Sequence, residues 1–94
     1  MSAATRIGDE CTGHGCWGPR ICDQGSENVF INGLPAHRVG DHWTTHCCGP
    51  ACHDSVASSG SSKVFINGKA AVRIGDEIEC GSVVAQGSSN VFFG

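Results

Sequence analysis

The sequence predicts a small all-β domain in which three repeats close on one another as a ring. Gly-Ser-x-x-Val-Phe occurs three times, at Gly25, Gly60 and Gly87, and two copies read on as Ile-Asn-Gly, from Val29 to Gly33 and from Val64 to Gly68. A second block, Ala-x-Arg-Ile/Val-Gly-Asp, also occurs three times, from Ala4 to Asp9, Ala36 to Asp41 and Ala71 to Asp76. In the two central copies it follows the first block directly. The chain therefore opens with the back half of a repeat and closes with the front half. One domain, residues 1–94, is expected. Its repeats are 25–59 and 60–86, and the half-repeat 87–94 closes onto the half-repeat 1–24.

Each unit starts with a short apolar segment, Ile21-Cys22, Val56-Ala57 or Val83-Val84. Gly-Ser and then Val-Phe-Ile follow. β-Branched and aromatic residues in short runs bounded by Gly and Ser are strand composition. Asn32-Gly33 and Asn67-Gly68 are hairpin signals, because a type I′ turn needs positive φ at both central residues. Pro35 suits an edge or a turn. No window of about a dozen residues carries the 3.6-residue apolar period of a helix. A unit of about 30 residues cannot bury its own apolar face, and joining several units does so. Closure also removes exposed strand edges. The pairs Arg6 and Asp9, Arg38 and Asp41, and Arg73 and Asp76 are expected to hold Gly8, Gly40 and Gly75 in their bends. Three equivalent copies do not suit a catalytic role.

Composition narrows the function classes. A domain of 94 residues with 14 glycines has a modest core and a high entropy cost of ordering, so a metal or disulfides are expected to help. A net charge of −3 does not suit a nucleic-acid surface, which is normally basic. No stretch approaches the roughly 18 apolar residues of a membrane span. Met1 to Arg6 lack the apolar core of a signal peptide, so synthesis in the cytoplasm, with reduced thiols, is expected. Seven cysteines cannot all pair internally. Metal binding is the first reading of the Cys and His content, and a disulfide-stapled secreted domain is disfavoured.

The repeats agree as far as the Asp and then diverge. Every histidine except His37, and every cysteine except Cys22, lies in the loops Glu10 to Arg20, His42 to Ser55 and Glu77 to Ser82. A ring brings these loops to one end of its axis. His14 and His46 each lie five residues after their Asp, and Cys80 lies four after Asp76. With His53 from the longest loop they make four ligands, as a closed tetrahedral zinc site requires. Cys11, Cys16, Cys47, Cys48, Cys52 and His42 share the region and compete for the role. Cys22 stands where Ala57 and Val84 stand in the other units and reads as a small buried apolar group. His37 is expected at the surface or in a turn. Trp17 and Trp43 are expected in loops, as caps over a small core.

These residues resemble the PAAR-repeat family over nearly the whole chain. The resemblance is carried by the doubled Gly-Ser-x-x-Val-Phe-Ile-Asn-Gly-x-x-Ala-x-Arg-Ile/Val-Gly-Asp and by Ser88-Ser89-Asn90-Val91-Phe92-Phe93-Gly94. The signature itself departs, reading Pro35-Ala36-His37-Arg38 in one unit and Lys69-Ala70-Ala71-Val72-Arg73 in the other. The resemblance implies a small cone that sits on the end of the trimeric VgrG spike of type VI secretion systems, one copy per trimer, and sharpens it. It implies one structural zinc near the vertex, held by three histidines and one cysteine, here His14, His46, His53 and Cys80. The work is mechanical puncture of a target membrane rather than catalysis. Zinc catalysis would need an open coordination position, which four protein ligands close. No extension follows Gly94, so any effector is expected to be separate cargo carried with the spike. The alternative function is a stand-alone zinc-binding interaction or regulatory module.

Overall fold

Asn32 and Asn67 adopt φ of 55°, and Gly33 and Gly68 follow at 79°. These are the two positive-φ positions of a type I′ turn. Each turn closes a two-residue hairpin in the computed structural model, which describes residues 1–94. Strand β2 (Phe30–Ile31) pairs with β3 (Leu34–Pro35), and β6 (Phe65–Ile66) pairs with β7 (Lys69–Ala70). The third hairpin is assembled from the two ends of the chain. Strand β1 (Ser2–Ala3) pairs antiparallel with β8 (Phe92–Phe93), Ser2 opposite Phe93 and Ala3 opposite Phe92. The protein is all-β, and no helix is long and apolar enough to cross a membrane.

The units join through a closed triangle of backbone hydrogen bonds. The amide of Thr5 donates to the Val72 carbonyl, that of Val72 to His37, and that of His37 to Thr5, at 3.0–3.1 Å. A second ring is made by side chains. The hydroxyls of Ser26 and Ser88 donate to Oδ1 of Asn67 and Asn32, and that of Ser61 donates to the Gly94 carbonyl. Two units thus grip the turn of a neighbour, and the third grips Gly94, just past the end of β8.

The core is built in layers of equivalent residues. One cluster contains Ala4, Ala36 and Ala71 with Ile31 and Ile66, and Phe93 packs against it at the third equivalent position. The other contains Cys22, Ala57 and Val84, and also Cys11, Trp43 and Ile78, each of which lies two residues after its Asp. Cys22 is fully buried, as its place in the repeat predicts, and burial pushes its thiol up to about 12.

The Gly-Ser step is imposed by close backbone approach. A Cβ at Gly25, Gly60 or Gly87 would lie 2.8 Å from the carbonyl oxygen of Ala36, Ala71 or Ala4. The next residue's amide donates to that same carbonyl. Gly60→Ala is therefore expected to destabilise by roughly 1–3 kcal/mol, the usual cost of overpacking. Urea denaturation checks this, and a neutral result would mean that the strand can retreat.

Two readings of the sequence are corrected here. Trp43 is not a loop residue capping the core. It lies in β4 (His42–Cys48), is wholly buried and is the largest member of its layer. His37 is not at the surface. It is fully buried, equivalent to Thr5 and Val72, with Nδ1 2.7 Å from the Gln24 carbonyl and its ring edge-on to Trp43. Desolvation holds its imidazole below the ordinary range, against the opposing pull of that carbonyl.

The unfolded chain takes up a proton that buried His37 refuses. Stability from His37 is therefore present above about pH 6.5, the free-histidine value, and is lost as pH falls below it. His37→Val, which copies Val72, is expected to flatten that part of the acid limb in urea titrations at successive pH values. An unchanged limb would contradict the assignment.

Candidate metal centre

The segment from His42 to Ser55 was expected to be a loop and is instead a hairpin. Strand β4 pairs with β5 (Ala51–Val56), and the turn between them is Gly49-Pro50. The insertion follows no repeat, so its strands lack a repeated signature. A register irregularity between Trp43 and His46 breaks the alternation, so Trp43 and His46 are both buried. One rung of the ladder sets His46 directly opposite His53.

His14 comes from the first loop, in a tight turn where its amide and carbonyl exchange hydrogen bonds with Trp17 at 2.9 Å. Gly15, inside that turn, has φ of 54°. Cys80 comes from the third loop, where Gly81 at φ of 107° and the bond from the Ile78 amide to the Ser82 carbonyl close the bend.

Nε2 of His53 lies 3.0 Å from Nε2 of His14 and 2.8 Å from Nε2 of His46. With Cys80, one ligand atom from each of the four residues lies within 4.8 Å of the others, and the group could hold a metal ion. In a tetrahedral zinc site with Zn–N of about 2.0–2.1 Å, neighbouring nitrogens stand about 3.3 Å apart. The observed spacings are shorter than that edge by a few tenths of an ångström, so the rings would spread slightly to admit an ion,.

Surrounding groups prepare the donors. Nδ1 of His46 donates to the Gly18 carbonyl at 2.7 Å, which leaves a lone pair on Nε2,. Desolvation and the neighbouring histidines push His14 and His53 below the usual range, favouring the neutral ligand form. Burial pushes the Cys80 thiol up, but hydrogen bonds from Ser55 and Ser82 and the charge of Arg20 outweigh it, and the net direction is down. That favours the thiolate, which is the form that binds metal.

Sequence reasoning missed two contributors. Arg20 is 5% exposed and its guanidinium donates to Cys80 Sγ at 2.8 Å, to Ser55 Oγ and to the Thr44 carbonyl. It stands one residue before the apolar segment, where the other units have Ser55 and Ser82, so the repeat gave no signal for it. Trp17 does not cap the core. It stacks on His14 and lies against His53, with Nε1 donating to the Ala51 carbonyl. It walls one side of the histidine cluster.

The competing candidates are disposed elsewhere. Cys11 is buried in the core. His42 is held between two carboxylates, Nδ1 to Asp23 at 2.6 Å and Nε2 to Asp54 at 2.8 Å, so neither nitrogen is free for a metal. Cys16 is paired with Cys48, and Cys47 with Cys52. The sequence left the role of these four cysteines open; the hairpin register sets Cys47 opposite Cys52, and the first loop carries Cys16 to Cys48. The odd count is accommodated by three free thiols, at Cys11, Cys22 and Cys80.

No curated protein matches the chain at a significant level. The family model described as the PAAR motif matches residues 12–86, which take in both central repeats, the β4–β5 hairpin and all four residues of the His/Cys cluster. Together with the repeat closure described above, that match shows that the chain belongs to the PAAR-motif family.

Proposed function

We propose that the protein is a structural, non-catalytic spike tip. It seats one copy on a trimeric VgrG spike of a type VI secretion system, and His14, His46, His53 and Cys80 hold one structural zinc at the opposite end. Assembly takes place in the cytoplasm, and the tip leaves with the spike to breach a target membrane, with any effector as separate cargo.

The observation that carries this reading is the closure of one chain into three equivalent hairpins by β1 and β8. A monomer with pseudo-threefold symmetry can meet a true trimer with three similar patches. The family is associated with such spike tips. The two ends of the molecule differ in a way that suits the division of labour. Cys80 packs on the cluster around Trp43, and the hairpins pack on the cluster around the three alanines. Phe30, Phe65 and Phe92 stand at equivalent places in the hairpins and are 56%, 60% and 47% exposed. Three such phenyl rings are the natural anchors for a threefold partner, since aromatic anchors dominate interface energetics.

Zinc suits the donor set. One histidine from the first loop, two from the β4–β5 hairpin and the Cys80 thiolate would together close a tetrahedral site with no position left for substrate,.

The test is co-purification with the VgrG trimer from the same source. One chain per trimer is expected, and Phe30→Ser with Phe65→Ser is expected to weaken binding at least tenfold with little change in Tm. Absence of binding by zinc-loaded, folded protein would favour the stand-alone module.

A further inference from the structure

Each clustered histidine has a disulfide cysteine within two residues of it: Cys16 beside His14, Cys47 and Cys48 beside His46, and Cys52 beside His53. Cys47 faces Cys52 on the rung next to His46 and His53, with Cα atoms 4.1 Å apart. Cys16 and Cys48 each lie two residues beyond their histidine, with Cα atoms 5.3 Å apart. Both separations are well under the ~7 Å beyond which a backbone must move to allow a bridge. Successive strand residues point to opposite faces, so Cys47 and Cys48 turn apart. The four sulfurs fall into two pairs rather than gathering round one point, which suits bonds and not a four-thiolate metal site.

We propose that Cys16–Cys48 and Cys47–Cys52 are a redox-controlled second closure of the metal end. They tie the His14 segment to β4, and β4 to β5. These are the same three segments that an ion on His14, His46 and His53 would join. In a reducing compartment the four thiols are free, and the ion reinforces the β4–β5 ladder and the hydrogen bonds of Trp17 and His46 that join the segments. In an oxidising one the disulfides hold them whether or not the ion stays. The passage between compartments, and the role of the ion, rest on the spike-tip reading. The cross-links themselves do not.

The chemistry balances with a disulfide-bearing oxidant, either a small-molecule disulfide or a dithiol–disulfide oxidoreductase. A protein thiolate attacks one oxidant sulfur, giving a mixed disulfide and releasing one oxidant thiolate. The partner cysteine's thiolate then displaces the other. For each bond the protein pair gives up two electrons and two protons, and the oxidant's disulfide takes them up as two thiols. Cys16, Cys47 and Cys52 are exposed and open to this exchange, whereas Cys11 and Cys22 are buried.

The test uses the full, zinc-loaded chain, purified under reductant and then divided between dithiothreitol and glutathione disulfide. Alkylation under denaturing conditions followed by mass spectrometry should label all seven cysteines in the first sample. In the second it should label only Cys11, Cys22 and Cys80, with peptide mapping returning the two predicted pairs. After chelation, the oxidised protein should melt above the reduced protein by on the order of 10–25 °C. Cys16→Ser with Cys48→Ser, and Cys47→Ser with Cys52→Ser, should each shrink that gap.

Seven labelled cysteines after oxidation, pairs that include Cys11, Cys22 or Cys80, or equal melting of the two chelated samples would overturn the proposal. The thiol count is made on the wild-type chain, so it stands even if a variant fails to fold. VgrG binding is scored separately on reduced protein, so either reading can fail without the other.

Discussion

Chelating the metal from reduced protein is expected to lower Tm by roughly 15–30 °C. The magnitude follows from linkage. Free zinc at about a thousand times its Kd stabilises the folded state by about 4 kcal/mol, and each kcal/mol moves Tm by about 4–8 °C in a domain near this size. The effect is large because of where the ligands sit. His14, the His46–His53 rung and Cys80 come from three loops that follow three different Gly-Asp bends. Between those loops the other ties are Arg20, Trp17, the disulfides and a handful of hydrogen bonds such as His46 to Gly18, Thr12 to Val83 and Glu79 to Val56. With the thiols reduced, loss of the ion leaves three histidine rings crowded within hydrogen-bonding distance and the Cys80 sulfur beside Arg20.

Elemental analysis of reduced protein should return about one zinc per chain, as a single closed tetrahedral site requires. His46→Ala should abolish retention and reproduce the chelated melting curve without chelator. His42→Ala is the control, since its ring is engaged by Asp23 and Asp54 rather than by the cluster. Retention of zinc by His46→Ala, or its loss from His42→Ala, would show that the ligands have been misassigned.

The features legible in the sequence are those present in three copies. Repetition exposes the Asn-Gly turns, the Arg–Asp bends, the ring closure and the burial of Cys22, because an equivalent residue in each unit reports the same environment. The same logic was available for Trp43 and His37. Trp43 shares its offset with Cys11 and Ile78, and His37 shares its own with Thr5 and Val72. Their bulk and polarity disguised core positions.

What was not legible lies in single-copy features. The β4–β5 hairpin has no counterpart in the other units, and its irregular register defeats alternation. Arg20 finds its partners only once Cys80, Ser55 and Thr44 have been folded around it. Of the disulfide pairs, Cys47–Cys52 depends on which residue faces which across that hairpin and Cys16–Cys48 on how the first loop lies against it, and spacing along the chain encodes neither. His14, His46 and Cys80 came together where counting from the Asp placed them, because the loops share an origin on the ring even though their lengths differ, and His53, taken from the longest loop, joins them.

Asp41→Ala is expected to cost about 3–5 kcal/mol, the usual penalty for removing one partner of a buried ion pair. Asp41 is wholly buried, and both its oxygens bind the Arg38 guanidinium, at 2.8 and 3.0 Å. It also accepts the Arg38 amide at 2.9 Å. Without it a cation that has left water loses its counter-charge. Arg38 is also the bolt between units, since its Nη1 donates to Oδ1 of Asn67 in the next turn. Arg6 repeats the arrangement with Asp9 and Asn32, whereas Arg73 has Asp76 with no such link to a turn among its hydrogen bonds. The arginine side chains are 10%, 16% and 22% exposed at positions 38, 6 and 73.

Screening and linkage therefore predict an order of loss, with Asp41→Ala greatest, Asp9→Ala intermediate and Asp76→Ala least. Urea denaturation midpoints at constant slope measure it. Replacing both partners, Arg38→Met with Asp41→Leu, should recover part of the loss, because the stranded charge rather than the missing attraction dominates. Equal losses at the three sites would mean that the pairs act only as local turn staples. The reverse order would mean that exposure does not govern them and that the ring is held by its backbone triangle alone.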